Sequence, residues 1–261
     1  MKIALLVKQV PDTATQIQIK PDRTGIVSEG VKYILSPYDE FAVEEGLRLK
    51  EKLGQGEVIA LTVGPERTKE ALRNCLAMGA DRAIRIWDDA TGDKLDSHAT
   101  AELLAKKLSE ITSDLVWCGK QAADDDMAYV GAAVAAKLDL PFVSLVSRFE
   151  LSADRKTAKV NRLTESGEET IEVSLPCVLS AQKGLNEPRY PSLAGMMKAK
   201  KKEIEEVKAA DLVPDPAGAV KAETVKLEPP PPRPPGKMLS GTPQQMVKEL
   251  VKLLREEAKV I

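Results

Sequence analysis

Short apolar runs alternate with longer helical patterns through the first half of the chain. The apolar runs, which are typical of buried strands, lie at 3–10, 58–63, 83–87 and 115–118. Apolar residues recur with helical spacing at 37–53, 66–78 and 97–111, and a fourth helical pattern starts at Met127. Strands that alternate with helices pair in parallel through right-handed crossovers. The pattern therefore predicts an α/β fold with a doubly wound, mostly parallel, Rossmann-like sheet.

The second half of the chain favours short strands joined by turns. Strand-like runs lie at 142–151, 158–163, 170–175 and 177–181, and the turn at 165–168 predicts a β-hairpin. We expect this hairpin region to extend the same sheet. A smaller hairpin is predicted near the N-terminus, where 17–19 and 25–27 flank the turn residues 21–24.

The last fifty residues lose the character of a core. A polyproline stretch at 228–236 predicts an extended spacer. An amphipathic helix then runs from Thr242 to about Ala258, with an apolar stripe at Met246, Leu250, Leu253 and Leu254. Its stripe needs a surface, which is either the chain's own body or a partner chain. We therefore predict an α/β domain at 1–208 and a proline-rich arm with a docking helix at 209–261.

Composition excludes several classes of protein. The net charge of −2 and an aromatic content of 3% argue against nucleic-acid binding. No apolar run approaches the roughly 20 residues of a membrane span, and the apolar start at 3–7 fits a strand better than a signal peptide. Three widely spaced cysteines favour reduced thiols, a cytoplasmic location and no metal cluster. We interpret the single histidine, His98, as a surface helix residue.

The stretch at 115–139 is the most informative in the chain. A buried-strand run ends at Gly119, a polar loop follows with three aspartates at 124–126, and a helix rich in small residues begins at Met127. Ligands bind doubly wound folds at the carboxyl ends of strands, and the first turn of a helix can bind an anion. The loops at 8–9, 63–65 and 119–121 could converge there.

The loop nevertheless allows two interpretations. It contains neither a G-x-G-x-x-G dinucleotide fingerprint nor a P-loop. Asp125 or Asp126 could serve only as the N-cap of the following helix, because aspartate in a first turn suits the helix dipole. On the local pattern, nucleotide binding and simple helix capping both stay open.

Several motifs in order resemble the beta subunits of electron transfer flavoproteins. They are KPDRTG at 20–25, AMGADR at 77–82, GKQAADDD at 119–126, LNEPRY at 185–190 and MKAKKK at 197–202. The similarity spans nearly the whole chain and is weakest in the proline-rich arm. The resemblance implies a heterodimer with an alpha subunit that makes most of the contacts to FAD.

The resemblance also implies a function. Members of the family are electron carriers without catalytic residues of their own. They take electrons from acyl-CoA or related dehydrogenases, as in fatty acid beta-oxidation, and pass them to a membrane quinone oxidoreductase. In ordinary members the beta subunit holds a structural AMP. In electron-bifurcating members, which oxidise NADH, it holds a second FAD.

Carried over position by position, the resemblance gives a set of nucleotide-binding residues. They are Leu6, Ser36, Pro37, Tyr38, Asp39, Val63, Gly119, Lys120, Gln121, Ala122, Ala123, Asp124, Asp125, Asp126, Met127, Ala128, Tyr129 and Val130. Bifurcating members tend to have a glycine where this chain has Asp125 and a proline after the position of Gly131. Both are absent here, so we favour AMP and keep the second FAD as the alternative.

A recognition loop for partner dehydrogenases is implied at 190–202, with Tyr190, Leu193 and Met197 as docking residues. Leu193 corresponds to the family's leucine anchor; alternatively, it caps a short helix against the core. Near the flavin of the alpha subunit the chain departs from its relatives. Leu163 replaces an acidic residue and Thr13 replaces an aromatic one, which leaves Tyr38 as the aromatic ring on that side.

Overall fold

The chain, seen in a computed structural model, is described over residues 1–89, 95–233 and 235–261. The strands are β1 (Lys2–Leu6), β2 (Gln9–Pro11), β3 (Tyr33–Leu35), β4 (Glu57–Val63), β5 (Arg82–Ile86), β6 (Leu115–Gly119), β7 (Phe142–Leu151), β8 (Thr157–Thr164), β9 (Gly167–Ser174), β10 (Cys177–Ala181) and β11 (Glu205–Val207). The helices are α1 (Pro37–Leu53), α2 (Lys69–Met78), α3 (Ser97–Ile111), α4 (Val130–Leu138), α5 (Leu193–Lys201), α6 (Ala209–Leu212) and α7 (Pro243–Glu256).

A nine-stranded sheet has the order β11-β5-β4-β1-β6-β10-β7-β8-β9. Strands from β11 to β7 are parallel, and β8 and β9 form an antiparallel hairpin at one edge. The chain winds outwards from β1 through β4 and β5 on one side and through β6 on the other. The strand order therefore reverses beside β1, which confirms the predicted doubly wound α/β fold.

Helices cover both faces of the sheet. Successive side chains of β1 point to opposite faces and are apolar on both, so each face packs against a layer of helices. Ile3 and Leu5 pack in the core layer of α1 and α2, whereas Ala4 and Leu6 pack in that of α3 and α4. Gly46 allows α1 to lie close to β1, since a Cβ at this position would be 2.9 Å from Leu5 Cδ2. The sheet is thus packed between two layers of helices, which fix the positions of the carboxyl ends of its parallel strands.

Most predicted elements are confirmed, but the predicted start of the fourth helix is wrong. The pattern predicted a helix from Met127, whereas α4 begins at Val130 with Tyr129 at the N-cap position. Asp126 and Ala128 have φ angles of +51° and +50°, which lie in the left-handed region and interrupt a helix. The N-terminal hairpin is reduced to one antiparallel bridge between Ile19 and Ile26.

The arm follows the body for part of its length. Ala209 in α6 is fully buried in the α3 layer, and Val213 packs against that layer, so the packed body of the fold extends beyond position 208. The division of the chain at 208/209 stays a prediction. Farther along, the Leu227 N–H donates to Arg23 O at 2.8 Å, and Arg23 pairs with Glu228 at 2.7 Å. Pro234, in the predicted polyproline stretch, lies outside the described residues.

The C-terminal helix α7 begins at a capping box. The Gln245 N–H donates to Thr242 Oγ1, and the Thr242 N–H donates to Gln245 Oε1. Every residue of α7 is exposed or half-buried, and Leu250 on the predicted stripe is 46% exposed. Met246, Leu253 and Leu254 are half-buried, so the stripe is only partly covered. None of the helices in the described part of the chain has the length and apolar content needed to cross a membrane.

Candidate functional site at the switch point of the sheet

A cavity of about 680 Å³ opens where the strand order reverses. Its floor is formed by residues at the carboxyl ends of parallel strands, among them Leu6, Val63 and Cys118. One wall is the loop from Gly119 to the start of α4, and another is the first turn of α3. The volume lies within the range of about 300–1,000 Å³ that small-molecule sites have. The predicted convergence of loops at this edge is thus present in the fold.

Asp39 ties two of these strand ends together. Ser36 and Pro37 start α1, which puts Asp39 in the first turn of that helix. The Lys8 N–H donates to Asp39 Oδ2 at 2.7 Å, and the Gly119 N–H donates to Asp39 Oδ1 at 2.9 Å. Burial raises the pKa of Asp39 to about 7, against the opposing effect of these two hydrogen bonds.

Gly119 is required by this close approach. A Cβ at Gly119 would lie 2.5 Å from Asp39 Oδ1 and 2.8 Å from the backbone carbon of Tyr38. Any side chain would therefore push α1 away from the end of β6. The glycine that ends the apolar run in the sequence therefore also allows α1 to pack closely against the end of β6.

The three aspartates of the loop are paired within the chain. Lys8 Nζ lies 2.8 Å from Asp124 Oδ1 and 2.8 Å from Asp125 Oδ2. Burial lowers the pKa of Lys8, but its hydrogen bonds to the two carboxylates outweigh burial and leave the pKa raised. The Gln121 side chain donates to Asp126. The loop therefore presents less negative charge to the cavity than its sequence suggests.

The positive end of α4 faces the cavity. Val130 and Gly131 both line the cavity, and the first N–H groups of a helix have no acceptor within it. The interpretation of Asp125 or Asp126 as the N-cap is wrong, because Tyr129 holds that position. Asp125 instead accepts a hydrogen bond from the Met127 N–H at 3.1 Å. A Cβ at Gly131 would lie 2.5 Å from Cys118 Sγ, so this glycine lets α4 lie against β6.

His98 is part of the cavity wall rather than an isolated surface residue. Its Nδ1 lies 3.0 Å from the hydroxyl of Tyr129, and its Nε2 lies 3.4 Å from Lys137 Nζ. Lys137 in turn pairs with Glu102. This contact joins the first turn of α3 to the start of α4. No local pattern predicts this contact, because its side chains come from two helices that lie about thirty residues apart in the chain.

A segment of the arm completes the wall. Residues 221–224 line the cavity although they lie about a hundred residues from the loop after β6. The N–H groups of Lys221 and Ala222 each donate to Asp96 Oδ2 at 2.8 Å. The other oxygen of Asp96 caps α3 by accepting from the Ala99 N–H at 2.8 Å. One carboxylate thus fixes both a helix and the arm.

Comparison with known proteins identifies the family of this chain. A family model described as electron transfer flavoprotein domain matches residues 24–212. The electron transfer flavoprotein subunit beta of Bacillus subtilis is 40% identical over 262 residues, covering 100% of both chains. The human protein of the same name is 41% identical over 261 residues, covering 100% of this chain and 99% of the relative. A mitochondrial relative from Arabidopsis thaliana is 39% identical over 262 residues and covers both chains fully.

The chain belongs to the electron transfer flavoprotein beta-subunit family. Membership makes it a subunit of an electron carrier rather than an enzyme that converts a substrate, and it implies an alpha-subunit partner. Cys75, Cys118 and Cys177 are buried free thiols. Among the described residues, no group of three histidine, cysteine, aspartate or glutamate side chains could hold a metal ion.

Two thirds of the sequence-predicted nucleotide residues of this beta subunit line the cavity. They are Leu6, Asp39, Val63, Gly119, Lys120, Gln121, Ala122, Asp125, Met127, Ala128, Tyr129 and Val130. The remaining six do not line the cavity, namely Ser36, Pro37, Tyr38, Ala123, Asp124 and Asp126. The predicted loop at 8–9 contributes Lys8 to the wall, whereas His98, Leu104, Phe142 and Ser180, from more distant elements, were not predicted. The binding roles themselves stay predictions.

The predicted docking residues of this beta subunit are strongly exposed. Tyr190 is 96% exposed, Leu193 is 79% exposed and Met197 is 65% exposed. Ser192 caps α5 through the Gly195 N–H at 3.0 Å, so Leu193 is the first residue of that helix. The alternative in which Leu193 packs against the core is disfavoured by its exposure. Its role in docking stays a prediction.

Proposed function

We propose that this chain pairs with an alpha subunit as an electron transfer flavoprotein, holds AMP in the cavity and helps to hold the FAD of its partner. Electrons would enter from acyl-CoA-type dehydrogenases and leave to a membrane quinone oxidoreductase. The observation that carries the proposal is the cavity at the switch point, with the positive end of α4 in its wall. The buried free cysteines support a reducing, cytoplasmic location.

The residues around the cavity suit an adenine nucleotide. Leu6, Val63 and Val130 offer apolar surface for a base, and the N-terminus of α4 offers N–H groups for a phosphate. Lys8 pairs with two of the loop aspartates, which reduces their repulsion of a phosphate. A nucleotide that binds only the folded chain would also stabilise it.

The flavin would supply the electron chemistry, and this chain would help to position it. Tyr38 is the proposed aromatic contact, and Lys120 Nζ lies 4.7 Å from the centre of its ring. Leu163, which is 40% exposed on β8, would give the flavin an apolar neighbour where relatives have an acidic one. No side chain of this subunit is required to transfer a proton in the proposed role.

The test of the carrier function is the choice of electron donor. The chain is co-expressed with its alpha subunit, and flavin absorbance is followed without oxygen. We expect reduction by an acyl-CoA dehydrogenase with its substrate and none by NADH alone. Direct reduction by NADH would contradict the proposal and favour an electron-bifurcating complex.

A further inference from the structure

Arg189 clamps the segment before the exposed docking residues to helix α1. Its Nε and Nη2 atoms lie 2.8 Å and 3.1 Å from the two carboxylate oxygens of Glu44. Its Nη1 and Nη2 atoms lie 2.5 Å and 3.0 Å from those of Glu51. Glu44 is 3% exposed, so the carboxylate at this end of the contact is shielded from water, whereas the Arg189 side chain is half-buried. The planar guanidinium thus binds two carboxylates that lie about two turns apart on one helix.

A second clamp holds the far end of the same segment. Arg73 donates to the carbonyl oxygens of Ala199 and Lys202, and Lys202 Nζ donates to Ala80 O at 2.6 Å. Between the clamps, α5 lies close to α2, because a Cβ at Gly195 would be only 2.3 Å from Ala77 O. The segment is therefore fixed at both ends and along its helix.

The residues between the clamps carry the exposed apolar surface. Tyr190 follows Arg189 directly, and Leu193 lies three residues farther on. Neither side chain is held by the core, since they are 96% and 79% exposed. Binding is weakened when a docking segment must be ordered at the same time, and a pre-organised segment avoids that cost.

We propose that Arg189 is a positioning residue for docking, which holds Tyr190 and Leu193 in their binding arrangement through Glu44 and Glu51. The inference rests on the proposed function, in which this surface binds a redox-partner dehydrogenase. Lysine cannot replace the guanidinium here, because a single ammonium cannot form paired contacts with two carboxylates.

The chain offers a matched control. Arg48 Nε also lies 2.9 Å from Glu44 Oε1, but Arg48 belongs to α1 and holds no part of the docking segment. Arg189→Lys and Arg48→Lys therefore make the same chemical change at the same carboxylate. Only the first changes the attachment of the segment.

The experiment measures the rate of electron transfer from an acyl-CoA dehydrogenase to the full heterodimer. The heterodimer is the substrate whose concentration is varied. We expect Arg189→Lys to raise the KM for the heterodimer about tenfold while kcat and flavin content stay unchanged, because weaker docking raises KM alone. Arg48→Lys should change neither constant. Leu193→Ala should raise KM, and Arg189→Lys with Leu193→Ala should raise it less than the product of the single effects.

The outcomes separate this inference from the function on which it rests. An unchanged KM for Leu193→Ala would mean that the surface does not dock the dehydrogenase, so the docking proposal itself would fail. A raised KM for Leu193→Ala with an unchanged KM for Arg189→Lys would overturn the positioning role alone. If Arg189→Lys does not fold, Glu51→Gln replaces it, since Glu51 is the more exposed partner. We then expect a KM increase of about twofold or more, and no increase would overturn the inference.

Discussion

Asp39 is a buried titratable residue that lines the cavity and joins two strand ends. Its carboxylate accepts N–H groups from the ends of β1 and β6, which are the two strands beside the reversal of strand order. Lys8 and Asp124 are the charged groups that most affect it after burial and these hydrogen bonds. A change in the charge of Asp39 therefore acts on the cavity floor and on the stability of the fold.

The pH dependence of stability follows from the raised pKa of Asp39, which is about 7 in the folded chain against 3.8 ordinarily. Between these values the folded state binds more protons than the unfolded state. The contribution of Asp39 to the free energy of unfolding should therefore fall as pH rises from about 4 to about 7 and stay level above, by at most about 1.4 kcal/mol per pH unit. Asp39→Asn should remove this slope in denaturant unfolding. If the free energy of unfolding of Asp39→Asn and of the unchanged protein depended on pH in the same way, the raised pKa of Asp39 would be contradicted.

Asp125 is the residue that we expect to select the nucleotide. It lines the cavity and is held by Lys8 and the Met127 N–H. Asp125→Gly should admit FAD in place of AMP, with a loss of stability of only about 0–1 kcal/mol because the ion pair is partly exposed. Released nucleotides are measured by chromatography. Asp126→Gly is the control, since glycine tolerates the positive φ of Asp126 and this residue does not line the cavity. Unchanged AMP in Asp125→Gly would count against the selective role.

At the scale of elements, the sequence was sufficient to predict helix bounds wherever a helix begins at a capping residue or proline, or ends at a glycine. The bounds of α1 follow from Ser36, Pro37 and Gly54, and those of α3 were predicted to the residue. The loop before α4 could not be predicted in the same way. Its left-handed residues Asp126 and Ala128 are not glycines, and hydrophobic spacing carries no information about φ.

The contact between the arm and α3 makes an element-scale prediction. Asp96→Ala removes both the helix cap and the acceptor for the arm, and should lower stability by about 0.5–2 kcal/mol. Ala222→Pro removes one donor of the arm and leaves the cap intact, so its stability should stay near that of the unchanged protein. Limited proteolysis should cut the arm faster in both variants. Equal cleavage rates in all three proteins would show that Asp96 does not hold the arm.

At the scale of the whole molecule, the sequence predicted the sheet but only part of the cavity. Loops that follow parallel strands meet at one edge by topology, which is why the stretch after Gly119 was found. The arm at 221–224 and the contact between His98 and Tyr129 depend on the path of distant segments. Their sequences show no local pattern, so only the folded chain brings them to the wall.

The accessible stripe of α7 leads to a prediction about assembly. Leu250→Glu should weaken pairing with the alpha subunit, because the proposed contact would have to bury a charge. Lys248→Glu is the matched control, since Lys248 lies on nearly the opposite side of the helix. Pairing is measured by size-exclusion chromatography of the co-expressed chains. A heterodimer that survives Leu250→Glu unchanged would favour docking of α7 on its own body.

The most direct test of the account is the nucleotide content of the heterodimer. The purified complex of this chain with its alpha subunit is denatured, and the released nucleotides are separated by chromatography and quantified. We predict one FAD and one AMP per heterodimer, because the cavity of this chain is proposed to hold AMP. Two FAD and no AMP would contradict the account and point to an electron-bifurcating complex.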